Sequence, residues 1–98
     1  ARNGMLFTAH GSINIKNKKW ENDFSPIDDM NLTFVDTLYS KAYLKHLFSA
    51  NEYLGKQIAT IHNLGFYLWL VREARKQILA GDFVTWKNKM VNQMDKRL

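Results

Sequence analysis

The chemistry open to this chain is narrowed first by what it lacks. It has no cysteine, which removes thiolate nucleophiles, disulfides and thiolate metal ligands together. Its five glycines are scattered and form neither GxGxxG nor a Walker-type loop, so no phosphate cradle is expected. No serine belongs to a motif that pairs it with a histidine. The one acidic pair, Asp28-Asp29, follows Ser25-Pro26-Ile27. Carboxylates in such a loop ordinarily bond turn backbone, and nothing nearby suggests the cleft that acid–base work requires. His62 stands between Ile61 and Asn63 in a mostly apolar stretch. A lone histidine there is ordinarily a hydrogen-bonded core or boundary residue. The residues therefore point to no active site within the chain.

What remains is electrostatic. Fourteen Lys+Arg against nine Asp+Glu leave a net +5, which suits a polyanion, RNA or DNA backbone being the commonest. Plain soluble domains also carry such a charge, so the balance alone does not decide the matter. A hydrophobic content of 46% is enough for a packed core and argues against disorder. The chain length of 98 residues fits one domain. The longest apolar run, Leu64 to Val71, is too short to span a bilayer, so no membrane partner is expected. The start shows no secretory pattern, which makes the cytoplasm the expected compartment. The first residue is Ala1 rather than methionine, as expected of a chain processed or cut from a longer one.

The elements that must position these residues are legible in part. Met5-Leu6-Phe7-Thr8 and Ser12-Ile13-Asn14-Ile15-Lys16 flank Ala9-His10-Gly11, which predicts a hairpin with Ile13 and Ile15 on a buried face. Pro26 holds Ser25 extended, so the segment around it is a loop. Helical spacing starts near Thr37, with Tyr39, Tyr43, His46 and Leu47 on one stripe and Lys41 and Lys45 off it. Ser49-Ala50-Asn51-Glu52 has the form of a capping box and predicts a break before a second helix. In that helix Leu54, Ile58, Ile61, Leu64, Leu68 and Val71 recur at three- and four-residue steps, and Leu64 to Val71 should be buried on several sides. Arg72, Arg75 and Lys76 suit its last turns, Gly81 ends it, and Asp82 caps a third helix. That helix puts Phe83, Trp86, Met90, Met94 and Leu98 on one face. The expected class is α+β and mostly helical: a hairpin and extended loop over residues 1–36, then three helices over 37–98.

Several segments, taken in order, resemble the C-terminal region of tRNA-guanine transglycosylases. They are Ala1-Arg2-Asn3-Gly4, Leu6-Phe7-Thr8, Gly11, Ile13-Asn14-Ile15-Lys16-Asn17, Pro26, Asp28, and Tyr39-Ser40-Lys41-Ala42-Tyr43-Leu44-Lys45-His46-Leu47. Glu52, Leu54-Gly55, Ile61-His62-Asn63-Leu64 and Phe66-Tyr67 complete the set. The resemblance is colinear from Ala1 to about Lys76 and weaker in the last helix. It implies a (β/α)₈ barrel with a zinc-binding subdomain near the C-terminus. The catalytic aspartates, a covalent nucleophile and a general acid/base, would lie upstream of Ala1. Full-length members exchange the wobble guanine of tRNA for a 7-deazaguanine base, preQ1 in bacteria and queuine in eukaryotes. The chain is then expected to be a tRNA-binding and dimerisation tail, inactive alone. A non-catalytic partner subunit or paralogue is the alternative, and an unrelated helical interaction domain a third. Nucleophilic and acid/base aspartates upstream would separate the first from the second.

The chain departs from the family at the metal. The family's C-x-C-x-x-C pattern falls on Asn31, Thr33 and Asp36, while the later ligand, His62, remains. Zinc sites in small domains draw on thiolates, so no structural metal and no other cofactor is expected. Hydrogen bonds among these polar groups should replace the site, with Phe34, Val35 and Leu38 filling the space. The resemblance also gives Arg2 a contact to the anticodon loop beside the exchanged base. It places Tyr39, Tyr43 and His46 at a homodimer interface. Lys41, Lys45, Arg72 and Arg75, with Lys16, Lys18, Lys19 and Lys76, are candidates for a face toward the tRNA anticodon stem-loop.

Overall fold

A computed structural model describes residues 4–98. Met5–Thr8 (β1) and Gly11–Asn14 (β2) pair antiparallel, with Leu6 opposite Ile13 and Thr8 opposite Gly11. The hairpin lies where alternation predicts it, although β2 stops at Asn14 rather than Lys16. Ile15 stays buried beyond the strand, its N–H donating to the Gly4 carbonyl at 2.9 Å. A single 3₁₀ turn follows at Lys18–Trp20, capped by Asn17, whose side chain accepts from the Lys19 N–H.

The helix expected from Thr37 is two helices. Phe34–Leu38 (α1) and Lys41–Ser49 (α2) are separated by extended backbone at Tyr39 and Ser40. Tertiary pairing overrides the periodicity here. Ser40 bridges Pro26, and the Lys41 N–H donates to the Ser25 carbonyl at 3.1 Å. The Ser40 hydroxyl then accepts from the Tyr43 N–H at 3.1 Å, which makes it the N-cap. The expected capping box at Ser49 is not formed. Ser49 is the last residue of α2 and accepts from the Lys45 ammonium. Asn51 closes α2 in the left-handed region at φ 56°, and the Glu52 N–H reaches back to the Leu47 carbonyl. A closing residue of that kind satisfies the free carbonyls of α2 first, leaving Glu52 as the N-cap of the next helix with no side-chain bond.

That helix, α3, runs Tyr53–Ala80, 28 residues, or about 42 Å. Gly81 ends it at φ 82°, as expected. Because α3 continues past Lys76, the cations Arg72, Arg75 and Lys76 are not in its final turn, where the dipole would favour them most. Phe83–Met94 (α4) follows; Asp82 holds the N-cap position without a side-chain bond. Met90 is buried, and Phe83, Trp86 and Met94 are half-buried on the expected face. Leu98 lies beyond the helix. There the chain returns to the hairpin, with the Ser12 N–H donating to the Lys96 carbonyl at 2.8 Å and the Leu98 N–H to the Ser12 carbonyl at 2.9 Å. Gly11, at φ 145°, permits this approach, since a Cβ there would lie 2.6 Å from the Lys96 carbonyl oxygen.

One core joins the hairpin, the Ile27 loop, α1, α2 and the first half of α3: Leu6, Ile13, Ile15, Ile27, Val35, Leu44, Leu47, Ile58 and Ala59. The second half of α3 corrects the sequence reading. Leu64, Leu68 and Val71 are 56%, 52% and 41% exposed, not buried on several sides. The positions α3 does bury are Gly55, Ile58, Ala59, His62 and Phe66. Apolar residues surround the helix there, so their spacing marks a helix without marking its inner face.

Candidate functional site

The site grows from two short stretches of sequence meeting across the core. In α1, Phe34 and Leu38 are four residues apart and share a face, which points to solvent: they are 62% and 66% exposed. Val35 and Asp36 are turned inward and buried. The expected filling of the metal space by Phe34, Val35 and Leu38 therefore fails for two of the three, and only Val35 contributes. On α3, His62 is 1% exposed and meets Asp36.

The hydrogen-bond geometry sets the protonation. His62 Nε2 lies 2.9 Å from the Phe7 carbonyl oxygen; a carbonyl only accepts, so Nε2 carries a hydrogen and donates. His62 Nδ1 lies 2.6 Å from Asp36 Oδ1, with both side chains fully buried. That is the separation of a charge-assisted bond from an imidazolium to a carboxylate. Burial by itself would push the imidazole pKa down. The hydrogen bond and charge of Asp36, aided by the Phe7 carbonyl and the Asp28 charge, outweigh burial and raise it. Asp36 Oδ2 accepts from the Thr33 N–H at 3.3 Å, the return half of a capping box at the start of α1. The Thr33 hydroxyl is buried without a partner. Gly65 of α3 faces Thr33 so closely that its Cβ would overlap the Thr33 methyl.

The four positions singled out by sequence thus divide. Asp36 and His62 are bonded to each other, Thr33 joins through its backbone, and Asn31 is exposed at φ 51°. Among the described residues no cluster of three or more His, Asp or Glu side chains could hold a metal ion. Asp28 makes the turn bond read from sequence, its Oδ1 accepting from the Met30 N–H at 3.1 Å. Its depth was not foreseen: the residue is 3% exposed and Oδ2 has no partner. Burial, above all, pushes this carboxyl up.

Asn63 was named in sequence only as part of the family resemblance, with no role given to it. Its Oδ1 accepts from the Phe7 N–H at 3.0 Å and its Nδ2 donates to the Met5 carbonyl at 2.9 Å. With His62 on the Phe7 carbonyl, two consecutive residues of α3 satisfy the edge of β1 that β2 leaves open. The one signal available beforehand was a polar His-Asn pair inside an apolar run.

The candidate cations do not form one patch. Lys41 donates to the Ser25 hydroxyl at 2.9 Å and the Pro26 carbonyl at 2.7 Å and stands 6.0 Å from the Trp20 ring, so its ammonium ties the loop to α2. Lys45 bonds Ser49 at 2.7 Å. Arg72 and Arg75 are exposed on α3, roughly 25–30 Å along its axis from Gly55, where α2 packs. Lys16, Lys18 and Lys19 are exposed near the hairpin, and Lys76 is exposed beside Glu73. Arg2 lies outside the described residues. Of the expected interface stripe, Tyr39 and Tyr43 stack at 5.5 Å and 10° although Tyr39 is outside the helix, and Tyr43 and His46 are exposed. Among the described residues no helix is long and apolar enough to cross a membrane.

A family described as queuine tRNA-ribosyltransferase matches residues 1–96. The queuine tRNA-ribosyltransferase of Helicobacter pylori (strain ATCC 700392 / 26695) is 42% identical over 97 residues, which is 99% of this chain and 26% of the relative. That of Aquifex aeolicus is 41% identical over all 98 residues, again 26% of the relative. That of Neisseria gonorrhoeae is 45% identical over 87 residues, 89% of this chain and 24% of the relative. The chain spans about a quarter of the length of the curated relatives it matches.

Proposed function

The chain belongs to the queuine tRNA-ribosyltransferase family, and on that premise we propose that it is the C-terminal part of a tRNA-guanine transglycosylase. Such an enzyme exchanges the wobble guanine of tRNA for a 7-deazaguanine base, preQ1 or queuine, in queuosine biosynthesis. The observation that carries this reading is the match of nearly the whole chain to relatives about four times its length. Within the enzyme, which acts in the cytoplasm on tRNA, this part engages the anticodon stem-loop and joins a second copy. The reacting carboxylates belong to the barrel. The net charge of +5 and the exposed arginines of α3 support the RNA role. The stacked Tyr39 and Tyr43, with His46 exposed beside Lys45, support the homodimer.

The same reading includes loss of the family's zinc. The residues present do not fit it. Both ring nitrogens of His62 already hold partners, and a metal needs a nitrogen lone pair. Asn31 is a neutral amide facing solvent, and Thr33 offers only a hydroxyl. In place of the metal, Asp36 ties α1 to α3, the connection an ion bound at these positions would supply, and His62 also ties α3 to β1.

A guanine-exchange assay on the parent protein with and without residues 1–98 tests the proposed role. Exchange is expected to be lost on removal while the barrel stays folded. Undiminished exchange by the folded remainder would refute it.

A further inference from the structure

Asp28 carries a carboxylate oxygen that the fold buries and leaves without a donor. The residue is 3% exposed; its Oδ1 takes the Met30 N–H at 3.1 Å, and its Oδ2 takes nothing among the described residues. An acceptor kept from both water and donors is costly, and burial accordingly pushes this carboxyl up. Asp28 lines a cavity of about 290 Å³ between the hairpin turn, the loop around Pro26 and the start of α2. We infer that this cavity binds a small organic cation, an alkylammonium or alkylguanidinium group, with Asp28 as its inner acceptor and Asp29 at its mouth.

The lining sets the chemistry of the ligand. Ile13, Pro26 and Leu98 give the cavity apolar walls suited to a short alkyl chain. Asp29 also lines it and is exposed, with His10 Nε2 3.3 Å from both of its oxygens. Lys41, the one lysine on the wall, is committed elsewhere: its ammonium donates to the Ser25 hydroxyl and the Pro26 carbonyl. A metal ion fits poorly, because His10, Asp28 and Asp29 do not form a group that could hold one. What Oδ2 lacks is an N–H donor, and a positively charged donor also offsets the cost of burying the carboxylate. The Asp28 carboxyl turns about a soft torsion, so Oδ2 can meet a ligand nitrogen while Oδ1 keeps the Met30 N–H.

Agmatine, which carries an ammonium and a guanidinium on one alkyl chain, is the probe. It is titrated into the full-length parent protein at mildly alkaline pH, with calorimetry and thermal unfolding as readouts and magnesium chloride at equal ionic strength as the control. Agmatine is expected to bind saturably and, at about ten times its Kd, to raise the melting temperature by about 2 °C or more. Binding should be lost in Asp28→Asn, which keeps an acceptor for Met30 and removes the charge, and weakened about tenfold in Asp29→Asn. A lysine or arginine from the rest of the parent is the second source of the same group. In that case agmatine finds the cavity filled, and the exposed Asp29→Asn change itself lowers the melting temperature, which upholds the site and assigns its occupant. Binding that survives either substitution undiminished, or an equal effect of magnesium, would overturn the inference. So would absence of binding together with an Asp29→Asn protein of unaltered melting temperature. If Asp28→Asn does not fold, Asp29→Asn decides the matter by the same criteria.

Discussion

Replacing Asp36 with alanine should destabilise the folded protein by about 3–5 kcal/mol, the range found when one member of a fully buried ion pair is removed. The size follows from what is left behind. His62 is enclosed, with 1% of its surface exposed, so a charged imidazole without its carboxylate would have no solvent to turn to. The Thr33 N–H loses its acceptor in the same step. Equilibrium unfolding in denaturant measures the loss; a change below about 1 kcal/mol would contradict a structural role for the pair.

The same experiment repeated across pH carries a sign. His62 has a raised pKa in the folded state, so the folded form binds its proton more tightly than the unfolded form does. The resulting stabilisation is complete below the unfolded imidazole value of about 6.5 and is lost as pH rises through the folded value. Stability of the parent should therefore decline as pH rises from about 6.5 through the raised folded value. In the Asp36→Ala protein the main cause of the raised value is gone, burial is left to dominate, and that decline should disappear. A decline of equal size in both proteins would mean that another group produces it.

A second large effect separates two leucines that look alike in sequence. Leu44 is fully buried in α2, and Leu44→Ala should destabilise by about 2–5 kcal/mol, the transfer of the side chain plus the cavity it leaves. Leu64 is 56% exposed, and Leu64→Ala in this chain should stay within about 0.5 kcal/mol, as exposed substitutions do. Denaturant melts of the two variants decide it. Equal losses would return Leu64 to the core, where its spacing alone had put it.

Those two leucines show how far a sequence of this kind can be read. Alternation found the hairpin, because Ile13 and Ile15 alternate with polar neighbours and Gly11 marks the turn. Gly81 ended α3 where expected, because a left-handed residue leaves few alternatives. The inner face of α3 was not legible, because apolar residues encircle it from Leu64 to Val71. Helix breaks set by tertiary pairing were missed too: nothing local to Tyr39 announces that Ser40 will bridge Pro26. At the candidate site, sequence singled out Asn31, Thr33, Asp36 and His62 through family resemblance and expected polar bonding among them; the bonding found joins Asp36, His62 and the Thr33 backbone but not Asn31. It did not show that Asp36 alone would reach His62, since the 26 residues between them say nothing of the orientation of α1. The role of Asn63 was invisible because its partners are backbone atoms, which every residue has.

The central claim is that a buried Asp36–His62 pair stands where the family carries zinc. Elemental analysis of the purified parent protein, paired with thermal unfolding in the presence and absence of a strong chelator, tests it most directly. The expected result is zinc well below one atom per chain and a melting temperature that the chelator leaves unchanged. One tightly held zinc per chain, with stability lost on its removal, would contradict it.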